Sequence, residues 1–419
     1  MGDTFYRFFF LIMKTILSII FILGNLAASV GQKHDNFWIV INPTWDNAPA
    51  DPPYPAVFFD FTNSPPIVSY VNSLYSLNSQ GLFMSDEAGT PLFFSNGYSI
   101  YHADGTLMLN GNGINPYPLP ISYPFGYPGI AMMMGLPRPG KPGDYYMLHL
   151  QWGWDGLYWL VPDLLLTQIE GAMEQGIGEV TVKNKPLISG AYWLEYFNVT
   201  KHANGRDWWV VLSDANSDTG VRTFYSLLLG PDSVSTVNTQ IIEKYGPVTE
   251  RWNNHIHPRV FSPDGKYFIS LDVRDTLNGI RILPFDRCNG ILGEPVTFPF
   301  PAGHWGAGGV AVSPNSRRLY ISNTEYVFQY DLYASDIASS VDTVAIYDGY
   351  IDSFGTTVFG YMHLGPDGKI YVNPGAKWTN YVAKHNQGGM ECSLQRRALE
   401  LTIPASGPPY YPNYRLGPI

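Results

Sequence analysis

One recurring unit limits the fold of this chain more than any other feature: an apolar strand, a turn of the Pro-Asp-Gly kind, then a second alternating strand. Three copies stand in the second half, at Val260-Phe-Ser-Pro-Asp-Gly-Lys-Tyr-Phe-Ile-Ser270, Val310-Ala-Val-Ser-Pro-Asn-Ser-Arg-Arg-Leu-Tyr-Ile-Ser322 and Met362-His-Leu-Gly-Pro-Asp-Gly-Lys-Ile-Tyr-Val372. Looser copies fall at Phe83 to Phe94, at Pro139 to Leu148 and at Lys201 to Val211. Proline presets φ near −65° early in the turn, Asp or Asn bonds to nearby backbone, and Gly accepts the positive φ that ends it. Taking the turn glycine, or the serine that replaces it, as a register mark gives Gly89, Gly143, Gly205, Gly265, Ser316 and Gly368, spaced 51 to 62 residues apart.

A period just above fifty accommodates four short strands and their connections, a little longer than the roughly 40 to 50 residues of familiar propeller blades. The unit after Arg259 reads as strands over 259–262, 267–272, 279–286 and 294–300, and the next repeats that layout over 309–313, 318–322, 326–331 and 341–347. Phe37 to Tyr75 lies outside the register with strands of its own, and reads as a further blade closed by the C-terminal segment, which would leave no sheet edge open. The fold class is therefore all-β, a β-propeller of seven four-stranded blades, with six or eight as the alternatives. A sandwich does not generate such a repeat and a solenoid repeats at shorter intervals. Composition agrees: charged residues make up 14% against a usual roughly 25%, while aromatics reach 15% and Gly and Pro number 42 and 34. The net charge of −10, with no long run of Lys and Arg, argues against nucleic acid.

The first thirty residues have the shape of a secretory signal: Lys14, an apolar stretch from Ile16 to Leu26, then Ala27, Ala28 and Ser29. Residues 1–31 are read as a signal peptide with Met13 as the true start, and 32–419 as a single propeller domain. A membrane anchor from Phe8 to Val30 is the rival, but Lys14 interrupts it and the remaining apolar run is shorter than the roughly 20 residues of a span, so no transmembrane segment is expected after cleavage. Cys288 and Cys392 sit in different units and read as separate thiols, since a bond needs Cα atoms within roughly 7 Å.

His202-Ala-Asn-Gly-Arg-Asp-Trp-Trp209, Phe285-Asp-Arg-Cys-Asn-Gly290, Leu364-Gly-Pro-Asp-Gly-Lys-Ile-Tyr371 and Pro412-Asn-Tyr-Arg-Leu-Gly-Pro-Ile419 carry a resemblance. On these strings the chain, from about Gln32 to its last residue, resembles exported β-propeller proteins of Bacteroidetes, with WD40-like repeats. The resemblance implies an extracellular or cell-surface address, with the periplasm as the alternative. Members commonly continue into a C-terminal sorting domain for type IX secretion. The sequence stops at Ile419, which leaves a truncated reading frame or a member without that signal as the two readings. The resemblance supplies fold and address and no catalytic residues.

Several groups are candidates for chemistry. His255 and His257 are alternate residues that a strand would turn to one face, with His304 and Glu250 as further ligands, and three converging ligands would hold a metal. Hydrogen-bonded structure before Pro258 is the rival reading, and no cofactor is expected. Asp214, Asn216 and Asp218 alternate as in a calcium loop, but Gly220 arrives one residue late and Tyr225 stands where a bidentate Glu is wanted, so a polar hairpin competes. Trp152, Trp154 and Trp305 could stack on sugars, although blade cores also use Trp. There is no Gly-x-Ser-x-Gly, His-Glu-x-x-His or P-loop. The expected function is a monomeric, exported, non-catalytic propeller that binds a protein or glycan through loops around its central opening. The alternative is a secreted hydrolase or lyase acting on polysaccharide, peptide or lactone.

Overall fold

The computed structural model describes residues 32–40, 54–73, 81–115, 127, 132–154, 159–172, 177–191, 194, 196–216, 221–244, 259–272, 279–299, 308–373, 376–401 and 409–419. Residues 1–31, read as the signal, lie outside them. No helix among the described residues is long and apolar enough to cross a membrane. Apart from two one-turn 3-10 helices, regular structure there is strand.

The strands form consecutive antiparallel meanders. A first sheet holds β1 (Phe37–Val40), β2 (Tyr54–Asp60) and β3 (Ile67–Ser73); a second holds β4 (Leu82–Ser85), β5 (Pro91–Ser95), β6 (Ser99–His102) and β7 (Leu107–Asn112). The third comprises β8 (Met133–Pro137), β9 (Tyr145–Trp154), β10 (Trp159–Glu170) and β11 (Glu179–Ile188). The fourth comprises β12 (Asn198–Lys201), β13 (Trp208–Asn216), β14 (Val221–Leu229) and β15 (Val234–Lys244). Next come β16 (Arg259–Phe261), β17 (Tyr267–Asp272) and β18 (Gly279–Asp286), with β19 (Ile291–Leu292) and β20 (Val296–Pro299) both paired to β18. They are followed by β21 (Val310–Val312), β22 (Arg318–Ser322), β23 (Tyr326–Asp331) and β24 (Asp342–Ile346), then by a small hairpin of β25 (Ile351–Asp352) and β26 (Gly355–Thr356). The last sheet is β27 (Tyr361–Leu364), β28 (Ile370–Asn373), β29 (Trp378–Val382) and β30 (Leu394–Glu400).

The first strands of these sheets adjoin one another, β1 beside β4, β4 beside β8, β12 beside β16, β16 beside β21 and β21 beside β27. Successive four-stranded meanders whose first strands gather side by side are blades radiating from an axis, so the fold is a β-propeller. A large core unites the inner strands of the sheets, with Trp38, Met84, Leu148, Trp208, Ile269 and Leu319 all buried. Smaller clusters fill the wedges between blades, one of them built on Trp209, Phe224, Phe268 and Phe285.

Six of the first-to-second strand connections carry one hydrogen-bond pattern. In the fifth sheet the Ser262 N–H donates to the Tyr267 carbonyl (2.9 Å) and the Gly265 N–H to the Ser262 carbonyl (2.7 Å). The pattern recurs at Asp86 and Gly89, at His202 and Gly205, at Ser313 and Ser316, and at Gly365 and Gly368, with a one-residue-longer version from Arg138 to Asp144. All six register residues have positive φ, from +59° at Ser316 to +93° at Gly89. At Gly265 close approach adds to φ, because a Cβ there would lie 2.6 Å from the Thr200 hydroxyl oxygen.

Two features differ from the sequence reading. Among the described residues the C-terminal segment adds no strand to the first sheet. The last sheet includes β30 as its fourth strand, the first sheet has three described strands, and the two meet through side chains, such as Tyr70 on the Glu400 carbonyl (3.2 Å) and Ser64 on Asp367 (2.9 Å). The second and third sheets also join at their outer edges, where Glu179 of β11 pairs in parallel with Leu109 of β7. Cys288 is exposed and Cys392 buried, and both are free thiols.

Candidate functional site

Residues 409–419 run through the middle of the ring. Proline at 409, 412 and 418 removes donors and discourages a regular ladder, while Tyr410, Tyr411 and Tyr414 supply large surfaces with one polar tip each. All three tyrosines are buried. The Tyr411 hydroxyl lies 2.8 Å from the Phe83 carbonyl and 3.3 Å from that of Phe37, and Tyr414 donates to the Gly135 carbonyl at 2.7 Å. The Tyr411 N–H reaches His363 Nε2 at 3.3 Å, and Asn413 Nδ2 donates to the Pro263 carbonyl at 2.8 Å. Arg287 Nη2 meets the Gly417 carbonyl at 2.6 Å and the Ile419 N–H meets the Ala203 carbonyl at 3.0 Å. One irregular segment thus ties down first strands or turns from most of the blades, and the axis at the turn end is occupied by chain.

The N-terminal residues before β1 meet it there. Arg415 forms a two-point ion pair with Asp35, Nη1 to Oδ2 at 2.8 Å and Nη2 to Oδ1 at 2.7 Å. The parallel fork geometry makes this the strong form of a charged hydrogen bond. His34, one residue earlier, places Nδ1 2.7 Å from the Ser85 carbonyl. A carbonyl only accepts, so Nδ1 carries the proton and Nε2 is left as a buried acceptor without a protein partner. Its ring stands edge-on to Tyr145 and Tyr414. Nearby, Lys201 places its ammonium 3.8 Å from the centre of the Trp208 ring, a cation–π contact in a buried setting.

Burial dominates the electrostatics of this region. It pushes Lys201 down to about 8, against the opposing pull of Glu87 and Asp207. It lowers His34, opposed by the Ser85 carbonyl, and holds His363 at about 3. Burial shifts each of these groups toward its neutral form because the charged one would lose hydration, although at about 8 Lys201 is still a cation at pH 7.

A triad-like geometry exists in the third sheet. His149 places Nε2 3.0 Å from the Thr167 hydroxyl and Nδ1 2.7 Å from Asn115 Oδ1. The spacing suits nucleophile, base and orienting group, but His149 and Thr167 have no exposed surface and Asn115 only 1%. No substrate carbonyl can reach that hydroxyl, so the three residues cross-brace β9 and β10. Among the described residues no group of three metal-ligating side chains converges.

The candidates from sequence separate as follows. Glu250, His255, His257, His304, Trp305 and Asp218 lie outside the described residues. Asp214 and Asn216 are on β13, paired with Thr223 and Val221 of β14, so both belong to a strand of the hairpin. Trp152 is on β9, half-buried and packed against the main core, and Trp154 is on the same strand opposite Trp159. Gly89, Gly143, Gly205, Gly265, Ser316 and Gly368 occupy the turns described above. Sequence reasoning missed Asp35, His34, Lys201 and Arg415 as neighbours. The available signal was the run Tyr410-Tyr411-Pro412-Asn413-Tyr414, too aromatic for a solvated tail and too proline-rich for a strand.

No family model matches the chain, and no curated protein matches it. Solved structures do. A Lactobacillus plantarum protein is similar over 89% of this chain and 98% of its own, at 12% identity and a TM-score of 0.50. A Bacteroides uniformis protein, provisionally labelled a 6-phosphogluconolactonase, is similar over 87% and 82%, at 15% identity and a TM-score of 0.42. A Xanthomonas campestris gluconolactonase is similar over 71% and 80%, at 15% identity and a TM-score of 0.33. At such identities the likeness concerns the fold.

Proposed function

We propose that this chain is an exported, non-catalytic propeller of seven blades that binds a protein or glycan with the end of the ring opposite the six turns. The observation that carries this reading is the asymmetry of the axis. At the turn end the axis is occupied by residues 409–419, whose tyrosines are buried, while each first strand enters from the other end, at positions such as Arg259 and Val310. A rigid ring with recognition carried on loops is the usual division of labour in such scaffolds. The one nucleophile–base geometry on the described residues is sealed inside a sheet, which favours binding over turnover.

The test is a glycan array on the recombinant segment from Gln32, run with assays for lactone, peptide and polysaccharide cleavage, metal analysis and size-exclusion chromatography. The expected result is a monomer without bound metal that retains a glycan and turns nothing over. Cleavage that Glu250→Gln or His257→Ala removes would replace this reading with the hydrolase or lyase. Absence of both glycan retention and cleavage would assign the surface to a protein partner.

A further inference from the structure

A cavity of about 250 Å³ lies beside the axial segment, and nothing in the proposed function uses it. Its walls come from the first strands and turns of four sheets, those beginning with β12, β16, β21 and β27, from Asp35, and from Tyr411, Pro412, Asn413 and Arg415. We propose that this cavity is a binding site for a neutral, polyhydroxylated small molecule of monosaccharide size.

Three properties of the wall lead to that class. The first is size. The cavity is slightly smaller than the roughly 300–1,000 Å³ of drug-sized ligand sites. A space of that size suits a single sugar ring.

The second is the mixture of surfaces. Val260, Val310 and Val312 supply apolar walls suited to the C–H face of a sugar, and Thr200, Ser262 and Asn413 stand among them. Each first strand is hydrogen-bonded to a neighbour strand on one edge only. The other edge turns backbone N–H and C=O groups toward the axis, where each requires a partner. Some are met from within the protein: Asn198 Nδ2 donates to the Arg259 carbonyl (2.6 Å) and Asn413 Nδ2 to that of Pro263. A strand edge offers donors and acceptors in alternation, and hydroxyl groups, which both donate and accept, answer it better than ligands with one capacity only.

The third is charge. Asp35 and Arg415 are the charged residues of the wall, and their two-point pair cancels. His363, also in the wall, stays neutral because of burial. An anion would have to displace Asp35 from Arg415 and a cation would have to displace Arg415 from Asp35, and either leaves a charge uncompensated. The pair engages two of the five guanidinium N–H groups, so Arg415 keeps donors for hydroxyl oxygens without offering a net charge.

The experiment is calorimetry and saturation-transfer NMR on the full chain with glucose, galactose and myo-inositol, and with glucuronate and glucosamine as charged counterparts. Saturable binding of at least one neutral compound, at least tenfold stronger than its charged counterpart, is expected. Pro314→Trp places a bulky ring at an exposed wall position, and Val312→Phe fills the interior; each should weaken binding at least tenfold while melting stays cooperative. If Val312→Phe does not fold, Pro314→Trp alone decides. Failure of all three neutral compounds to bind leaves a water-filled cavity and overturns the proposal, as does preference for a charged compound. Binding untouched by Pro314→Trp also overturns it, and would place the sugar at the loop end invoked for the proposed function.

Discussion

The six turns and the axial segment are two solutions to holding one ring together, and they differ in how far each contact reaches along the chain. Each turn closes within a few residues: Ser262 to Tyr267, Ser313 to Arg318, Gly365 to Lys369. The axial segment works over hundreds, since Tyr414 and Gly135 are 279 positions apart and Arg415 and Asp35 are 380 apart. Turns repeat because the same local chemistry is needed in every blade. Among the described residues the axial segment occurs once, so its contacts have no counterpart in other blades. Blades are therefore modular in sequence, while their closure into a ring rests on a segment that belongs to no blade.

The sharpest way to break this comparison is to remove the axial segment. Deleting residues 409–419 from the recombinant chain should abolish the single cooperative melt while strand content by circular dichroism largely persists, because the local turns survive. An unchanged transition would show the segment to be ornamental.

Tyr414→Ala asks the same question with one side chain. It removes a fully buried ring and orphans the Gly135 carbonyl, so urea denaturation should show a loss of about 3 to 5 kcal/mol. Tyr414→Phe, which keeps the ring, should lose about 1 kcal/mol.

Acid separates the two regions by titration. His149 braces a sheet and His363 accepts from the axial segment, and burial holds both at about 3 against an ordinary 6.5. Between these values the unfolded chain binds the protons and the folded chain does not, so stability is intact above pH 6.5 and falls as pH drops toward 3. The slope should approach about 1.4 kcal/mol per pH unit for each histidine. His363→Phe should remove the axial share and flatten the profile between pH 6 and 4.5; an unchanged slope would mean that His363 takes up its proton in the folded chain at its ordinary value.

Two glycines set the local scale. Gly265→Ala meets both positive φ and the Thr200 hydroxyl, and should cost about 2 to 3 kcal/mol. Gly140→Ala has φ +69° and nothing within 4 Å of a new Cβ, so thermal melts should show about 1 kcal/mol. Equal losses would mean that the blade-to-blade approach at Gly265 relaxes freely.

The same division of range decides what could be read from sequence. The strands over 267–272, 279–286, 318–322 and 326–331 have the bounds that alternation and turn residues indicate, because both signals act within a few residues. Closure of the ring was the least legible part, and among the described residues it runs through side chains. A Velcro-like extra strand is the ordinary way to protect an edge, and no local pattern distinguishes it from a segment that dives to the axis. The parallel join of Glu179 to Leu109 was invisible for a related reason, since one bridge between outer edges leaves no periodicity. The axial neighbours were hidden by separation: Asp35, Lys201, His363 and Arg415 are unremarkable singly and acquire meaning only through the fold. Asp214 and Asn216 lie on β13, and alternating polar residues arise in a strand as readily as in a cation loop.

The position of the axial segment after every blade has a consequence for biosynthesis. During translation, at about 5 to 20 residues per second, each meander can form as it leaves the ribosome, yet the tyrosines that lock the hub emerge after β30. For most of its synthesis the nascent chain is a string of unsealed wedges with a bare apolar hub, the condition in which a chaperone or an export factor would find it easiest to hold.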